Sequence, residues 1–162
     1  MRGFWLALGL IFGAGAAQAD SDTIPAERME VLTCLEAMSV DTTWGQCVTL
    51  LFAPCAELAV GSEDHVSCLT DEHRAWQGAM DGERTRLLAG LTSAGASELT
   101  ELMGQWFGYV AQKCGAVAAG KPATGAEAAQ LGCEISEIAG VTAEFVACRA
   151  GRSTAPYCVM QE

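Results

Sequence analysis

The fold is decided by residues 64–91, which read DHVSCLTDEHRAWQGAMDGERTRLLAGL and form the longest periodic stretch of the sequence. The side chains of its stripe recur at steps of three or four residues or their multiples, which is the spacing of one helical face. They are Leu69, His73, Trp76, Met80, Leu87 and Leu91. Gly78 and Gly82 each cost about 1 kcal/mol relative to alanine inside a helix. The stripe nevertheless predicts a long amphipathic helix.

The rest of the chain repeats the helical pattern and lacks the alternation typical of strands. A first helix is predicted after Pro25, and a short one follows the capping-box spacing of residues 43–46 and ends at Pro54. Two later helices are predicted with inner faces formed by Leu99, Leu102, Met103, Trp106, Val110 and Cys114, and by Leu131, Ile135, Ile138, Thr142 and Phe145. We therefore predict an all-α fold, a small disulfide-stapled helical bundle of about four or five helices.

Glycines and other small residues mark the predicted helix boundaries. Residues 61–64 (GSED) predict a helix start with acidic side chains at the positive end of the helix dipole. Residues 93–97 are predicted to form a turn, and residues 115–125 (GAVAAGKPATG) a loop. The segment Thr124-Gly-Ala-Glu127 has capping-box spacing and predicts the start of the last helix.

The first nineteen residues have the pattern of a secretory signal. Residues 4–12 (FWLALGLIF) are apolar but shorter than the roughly 20 residues that span a bilayer, and an A-x-A cleavage pattern ends at Ala19. We predict a periplasmic or secreted protein with no membrane anchor after cleavage at Ala19. The predicted segments are the signal peptide 1–19, a Cys-rich helical N-terminal extension 20–62, a helical domain 63–150 and a C-terminal tail 151–162.

All eight cysteines follow the predicted signal, at Cys34, Cys47, Cys55, Cys68, Cys114, Cys133, Cys148 and Cys158. An even number behind an export signal predicts up to four disulfides in an oxidising compartment. Eight cysteines allow 105 pairings, so their spacing alone does not give the connectivity. Two pairings are hypotheses: Cys114–Cys133 would close the loop predicted at residues 115–125, contributing about 3 kcal/mol in the chain-entropy account, and Cys148–Cys158 would hold the tail. The pairing of the four upstream cysteines stays open at this point.

Composition excludes several classes of protein. With 51% hydrophobic and 18% charged residues, the chain of 162 residues is too apolar for intrinsic disorder. Its formal net charge of −11 argues against a nucleic-acid partner, because phosphate binding depends on lysine and arginine. The length is enough for one domain or two small ones.

Neither a metal site nor an active site is favoured by the sequence. His65, Cys68 and His73, with Cys55 upstream, could hold zinc, but C-x-x-C is absent and both histidines have ordinary helical roles open to them. Glu98 and Glu101 could in principle serve a glycosidase, but a place near a predicted helix start explains them through the dipole. No hydrolase, zinc-protease or nucleotide motif is present. We predict a protein that is not an enzyme and has no metal or cofactor.

Two segments carry a joint spacing of cysteine, glutamate, tryptophan and tyrosine. The first is similar to the pattern C-x3-E-x3-W-D-x2-L-N-x2-Y-x2-L, and the second to L-x3-Q-x2-W-x2-Y-R-D-x2-C. The matching positions are Cys68, Glu72, Trp76, Met80, Leu87, Leu99, Trp106, Tyr109 and Cys114, and Cys133 matches a later cysteine. Residues 68–133 thus resemble the LprI-like lysozyme-inhibitor domain of secreted bacterial proteins. Cys34, Cys47 and Cys55 resemble the cysteine-rich extension of some members.

This chain departs from the family pattern mainly at polar positions. Gln77 stands for aspartate, Asp81 for asparagine, Arg84 for tyrosine, Met103 for glutamine, and Val110-Ala111 for Arg-Asp. The apolar and cysteine positions are kept, so the resemblance supports the fold more than the activity.

The resemblance implies an exported protein that binds a lysozyme-type muramidase and blocks it by stoichiometric occlusion. Many lysozymes are basic, and the acidity of this chain would speed association in a salt-dependent way. The alternative is a periplasmic structural or interaction module without inhibitory activity. Trp76 and Trp106 are expected as core anchors, Glu72 as a partner within its helix or of a backbone amide, and His73 as a satisfied core histidine.

Overall fold

A computed structural model of the protein describes residues 55–159 together with Thr33, Cys34 and Ala37, which are helical. Three long helices, α1 (Glu63–Leu88), α2 (Ser93–Ala119) and α3 (Ala123–Arg149), are followed by a 3-10 helix, η1 (Pro156–Val159). The described residues contain no β-strand, which confirms the all-α class for this part of the chain. None of these helices is both long and apolar enough to cross a bilayer.

The two helices predicted upstream of residue 55 fall outside the described residues, apart from the three helical positions 33, 34 and 37. The predicted signal peptide 1–19 lies outside them as well. The total of four or five helices therefore stays a prediction, while three long helices are established for the described part.

The start of α1 is fixed by a reciprocal set of hydrogen bonds. Ser62 takes an extended backbone, and its Oγ accepts from the N–H of His65 at 3.2 Å. The Nδ1 of His65 in turn accepts from the N–H of Gly61 at 3.1 Å. Such caps satisfy backbone donors that the first helical turn leaves without partners. Glu63 and Asp64 lie in this turn, as predicted, where the helix dipole favours negative charge.

The turn predicted at residues 93–97 is wrong, because α2 already begins at Ser93. Thr92 caps this helix, with its Oγ1 accepting from the N–H of Gly95 at 3.3 Å. The alanines of this segment favour helix more strongly than one glycine opposes it. No acidic residue lies in the first turn of α2, so the dipole explanation for Glu98 and Glu101 is also wrong.

The loop predicted at residues 115–125 is wrong as well. α2 continues to Ala119, and only residues 120–122 connect it to α3. Alanine is the strongest helix former, and the run of alanines after Gly115 outweighs that single glycine. The connection is therefore short, which holds α2 and α3 side by side.

The capping box predicted at Thr124 does not form. α3 begins one residue earlier, at Ala123, and Pro122 stands at the N-cap position without a side-chain hydrogen bond. Its φ of −56° already suits helix entry. The N–H of Gly125 donates to the carbonyl of Pro122 at 2.8 Å, so the backbone itself closes this end.

α3 is the helix against which both other long helices pack, whereas α1 and α2 hardly touch each other. Two ion pairs link α1 to α3, His73–Glu134 and Glu83–Arg149. The later residue of α1 pairs with the later residue of α3, so these two helices run parallel. The short connections then make α2 antiparallel to both. α3 is thus the common packing partner of the other two long helices.

The buried core follows the predicted stripes of α1 and α3. Its buried members there include Leu69, Trp76, Met80, Leu87, Ile135, Ile138, Thr142 and Phe145, with Leu91 just after α1. In α2 the buried members are Leu99, Met103, Val110 and Cys114. Leu102 is 38% exposed, so its predicted place on the inner face is wrong. α2 has α3 on one side only, which makes its buried arc narrower than the apolar stripe of its sequence.

Three disulfides join these elements: Cys55–Cys68, Cys114–Cys133 and Cys148–Cys158. The second and third are the two pairs that were hypothesised from the sequence, and the first joins two of the cysteines whose pairing was open. Cys34 is also disulfide-bonded, and Cys47 lies outside the described residues. Such cross-links restrict the unfolded chain and are typical of an oxidising compartment rather than the cytosol.

The described part of the predicted tail 151–162 packs back onto the helices. Gly151, at φ +67°, ends α3, and the N–H of Arg152 donates to the carbonyl of Ala147 at 2.8 Å, as in a Schellman motif. η1 then contacts α2 and buries Tyr157. This segment contributes to the core as well as to the disulfides.

A buried carboxylate ties the ends of α1 and α3 together. Glu83 is only 2% exposed, and its Oε2 accepts from the Nε of Arg149 at 2.9 Å while its Oε1 pairs with Arg86. A buried carboxylate is tolerated when both oxygens have charged donors. Sequence reasoning missed this residue, although it falls three positions after Met80 on the α1 stripe.

We expect Gly61→Ala to destabilise the protein more than Gly151→Ala. Both glycines have positive φ, +78° and +67°, which costs an alanine about 1–2 kcal/mol. At Gly61 a Cβ would also lie 2.2 Å from the carbonyl oxygen of Thr124, whereas the space at Gly151 is open. Urea unfolding with intact disulfides, followed by circular dichroism, measures the difference. Equal losses in the two variants would contradict this close approach of the chain to α3.

We expect Glu83→Gln to lower the free energy of unfolding by about 2 kcal/mol, because it removes one charge from a buried, doubly paired site. The matched control is Asp81→Asn, which affects the pair with Arg84 at a carboxylate that is 57% exposed. Exposed pairs contribute less than about 1 kcal/mol. Urea midpoints of the two variants give the comparison, and similar small effects would show that the buried pair is dispensable.

We expect the tyrosine titration to contain a late step from Tyr157. Burial, with a smaller contribution from the charge of Glu144, raises the pKa of Tyr157 to about 12. The pKa of Tyr157 in the folded protein lies above the ordinary value of 10. The contribution of its neutral side chain to the free energy of unfolding is therefore complete below pH 10 and is lost as the pH rises towards 12. Tyrosinate absorbance after rapid mixing measures this step. Tyr157→Phe should remove it, and Tyr109→Phe should not.

Candidate functional site

A groove of about 160 Å³ lies between α1 and α2, with α3 beneath it. Each wall comes from residues four apart, which share one face of a helix. The lining consists of His73 and Gln77 from α1, Trp106, Phe107, Val110 and Ala111 from α2, and Glu134 and Ile138 from α3. The groove exists because α1 and α2 both pack on α3 and do not close on each other.

One side of the groove is aromatic. The rings of Trp106 and Phe107 stand edge to face, with centroids 5.0 Å apart and planes at 64°. Trp106 is half-buried and packs against the core, while Phe107 is 46% exposed. An exposed aromatic ring that packs against a half-buried neighbour offers a surface on which apolar groups and cations bind favourably.

The acidic group of the groove is the carboxylate of Glu134, which lies there with the polar side chains of His73 and Gln77. Its Oε2 lies 3.0 Å from the Nε2 of His73, and its Oε1 accepts from the Nε2 of Gln130 at 2.9 Å. The side chain of Glu134 is 21% exposed, so solvent or a partner reaches it from the groove. Each carboxylate oxygen has two lone pairs and can accept a further hydrogen bond beyond these.

Most positions of the family pattern belong to the core and not to the groove. Trp76 is buried, and its Nε1 donates to Oε1 of Glu72 at 2.9 Å, so this glutamate orients a core tryptophan. Of the remaining matching positions, three are buried and two form disulfides: Met80, Leu87 and Leu99, and Cys68 and Cys114 respectively. Trp106 alone among the matching positions lines the groove.

Tyr109, also a matching position, lies at the surface, where it is 56% exposed. Lys113 stands 5.7 Å from its ring centroid and donates to Oε1 of Glu137 at 2.6 Å. This hydrogen bond raises the pKa of Lys113 above its ordinary value. The three side chains form a polar surface patch that holds α2 to α3 and is not part of the groove.

Three of the six positions at which this chain departs from the family pattern line the groove. Gln77 stands where the pattern has aspartate, and Val110 and Ala111 stand where it has Arg-Asp, and all three line the groove. Residues far apart in the sequence thus converge on one surface. An amide and two apolar side chains stand where the pattern has three charged residues, so this surface is less polar than the pattern implies.

The potential zinc ligands have other partners. Cys55 and Cys68 are joined in a disulfide, so neither offers a thiolate. The Nδ1 of His65 accepts from a backbone N–H, and His73 pairs with Glu134. Among the described residues no group of three or more His, Cys, Asp or Glu side chains is placed to hold a metal ion.

Sequence reasoning missed two residues of the groove, Phe107 and Glu134. A signal existed for Phe107, because two adjacent aromatic residues cannot both lie on one helical stripe, so one had to be exposed. No local signal existed for Glu134, whose partner His73 lies in another helix. Only the packing of α1 on α3 brings these two together.

The groove combines two aromatic rings, three smaller apolar side chains and three polar ones, among them one accessible carboxylate. The likeness to the LprI-like domain stays a prediction from residues 68–133. No family model, curated protein or solved structure matches the chain.

Proposed function

We propose that this chain is an exported binding protein that inhibits a lysozyme-type muramidase by stoichiometric occlusion, with the groove between α1 and α2 in the contact surface. The observation that carries this proposal is the groove itself, because it offers an exposed aromatic ring beside an accessible carboxylate. Well-packed aromatic side chains are typical anchors of protein interfaces.

The size of the groove supports a protein partner. Pockets for small molecules have volumes of roughly 300–1,000 Å³ and bury most of the ligand. A groove of about 160 Å³ admits a single side chain. Occlusion of a partner by surface contact requires no more than such anchor points.

The charge of the chain supports a basic partner. Nine basic and twenty acidic residues give a formal net charge of −11. Opposite net charges raise association rates, and this effect weakens as salt screens the fields. Inhibition of a basic lysozyme should therefore be salt-sensitive.

An exported location agrees with the disulfides. Three of them stabilise the described part of a small protein, as is typical of oxidising compartments. Together with the signal pattern of residues 1–19, this supports a periplasmic or secreted protein.

A second candidate function is a periplasmic interaction module without inhibitory activity. The changed polar positions at Gln77, Val110 and Ala111 favour it, because they alter the groove relative to the family pattern. The two candidates share the fold and the location and differ in the effect on lysozyme.

We expect the purified, oxidised protein to inhibit lysis of a peptidoglycan suspension by a c-type lysozyme. Inhibition should saturate near one-to-one stoichiometry and weaken from low to moderate salt, because opposite charges steer the association. Reduced and alkylated protein, which lacks the disulfides that hold the helices, is the control and should be inactive. No inhibition at a large molar excess of folded, oxidised protein would eliminate the inhibitor function and leave the interaction module.

A further inference from the structure

The chemistry of the groove selects among the side chains that a protein partner could insert. Its aromatic wall, Trp106 and Phe107, favours an apolar stem or a cation. Its acidic group, Glu134, is a carboxylate and repels anions. A purely apolar side chain would bury this carboxylate further without adding a hydrogen-bond donor to it.

Arginine matches both features at once. Its aliphatic stem packs on apolar surface, its planar guanidinium stacks on aromatic rings, and its five N–H groups bind carboxylates in a fixed geometry. Lysine offers a compact charge that stacks less well.

We propose that the groove between α1 and α2 is a receptor for one arginine side chain of a basic partner protein, with Glu134 as its counter-ion and Phe107 as its stacking surface. This inference rests on the proposed function, since it names the group by which the partner is recognised at that same site. The charge of −11 on the chain favours a partner rich in arginine and lysine.

The existing contacts of Glu134 do not use all the hydrogen-bond acceptor positions of its carboxylate. The Nε2 of Gln130 donates a hydrogen bond to Oε1, and the Nε2 of His73 lies 3.0 Å from Oε2. The second lone pair of each oxygen is left for a guanidinium. Lys113 of α2 is bonded to Glu137, one turn beyond Glu134 on α3, and does not line the groove.

The first experiment compares two pairs of variants in binding to a c-type lysozyme by calorimetry. Glu134→Gln removes the carboxylate charge inside the groove, and Glu137→Gln makes the same change outside it on the same helix. Phe107→Ala removes the exposed ring of the groove, and Tyr109→Ala removes an exposed ring of α2 outside it. We expect about tenfold or greater weakening for the two groove variants, as for interface anchors, and less than about threefold for the two controls.

The second experiment uses a probe that is independent of lysozyme. The ¹⁵N-labelled protein is titrated with N-acetyl-arginine methylamide and, in parallel, with the uncharged citrulline analogue of the same shape. We expect the indole N–H resonance of Trp106 to shift in a saturable way with the arginine compound alone. The shift should be lost in Glu134→Gln and retained in Glu137→Gln.

The outcomes separate the two proposals. If lysozyme is inhibited but the groove variants bind it like their controls, the arginine receptor is wrong and the inhibitor function stands. If lysozyme is not bound but the arginine probe saturates the groove, the choice of partner is wrong and the arginine receptor stands. Absence of any saturable shift with the arginine probe, or an equal shift with citrulline, would overturn the receptor.

Discussion

The structure depends on the packing of two helices against a third. α1 and α2 both bury their apolar stripes on α3, so neither has a stripe left with which to close on the other. The hydrophobic effect drives both contacts, and the parallel and antiparallel directions follow from the short connections. The groove is the direct result of this arrangement, because a shared packing helix leaves a gap between its two neighbours.

Disulfides and a buried ion pair hold this arrangement where apolar packing is thin. Only 7% of the residues are aromatic, and much of the helical surface is alanine and glycine. Cys114–Cys133 fixes α2 to α3, and Cys148–Cys158 fixes η1 to the end of α3. Glu83 fixes the end of α1 to α3 through Arg149. The helix that carries Phe107, α2, is thus cross-linked to α3. This cross-link holds the exposed ring in place in the protein on its own.

The electrostatic character of the groove differs from that of the rest of the protein. Most charged side chains of α1 pair with a neighbour one turn away, as Arg74 does with Asp71, and such exposed pairs contribute little. Glu134 also bonds to a neighbour one turn away, Gln130, but it pairs in addition with His73 of another helix and lies in a partly enclosed groove, where a charge interacts more strongly than it does in water. In the binding function that we propose, the acidic excess of the chain would act at long range and this one carboxylate at contact distance.

Local periodicity was enough to predict the helical class and the buried stripes of α1 and α3 from the sequence. Two disulfides were hypothesised correctly between cysteines close along the chain, although the 105 possible pairings left the connectivity open. Sequence reasoning misplaced the start and end of α2, where runs of alanine outweighed the glycines taken as breaks. Tertiary structure alone decided the pairs His73–Glu134 and Glu83–Arg149 and the groove. Their members lie far apart in sequence, Glu83 and Arg149 by 66 positions, and no local pattern records which helices will pack together.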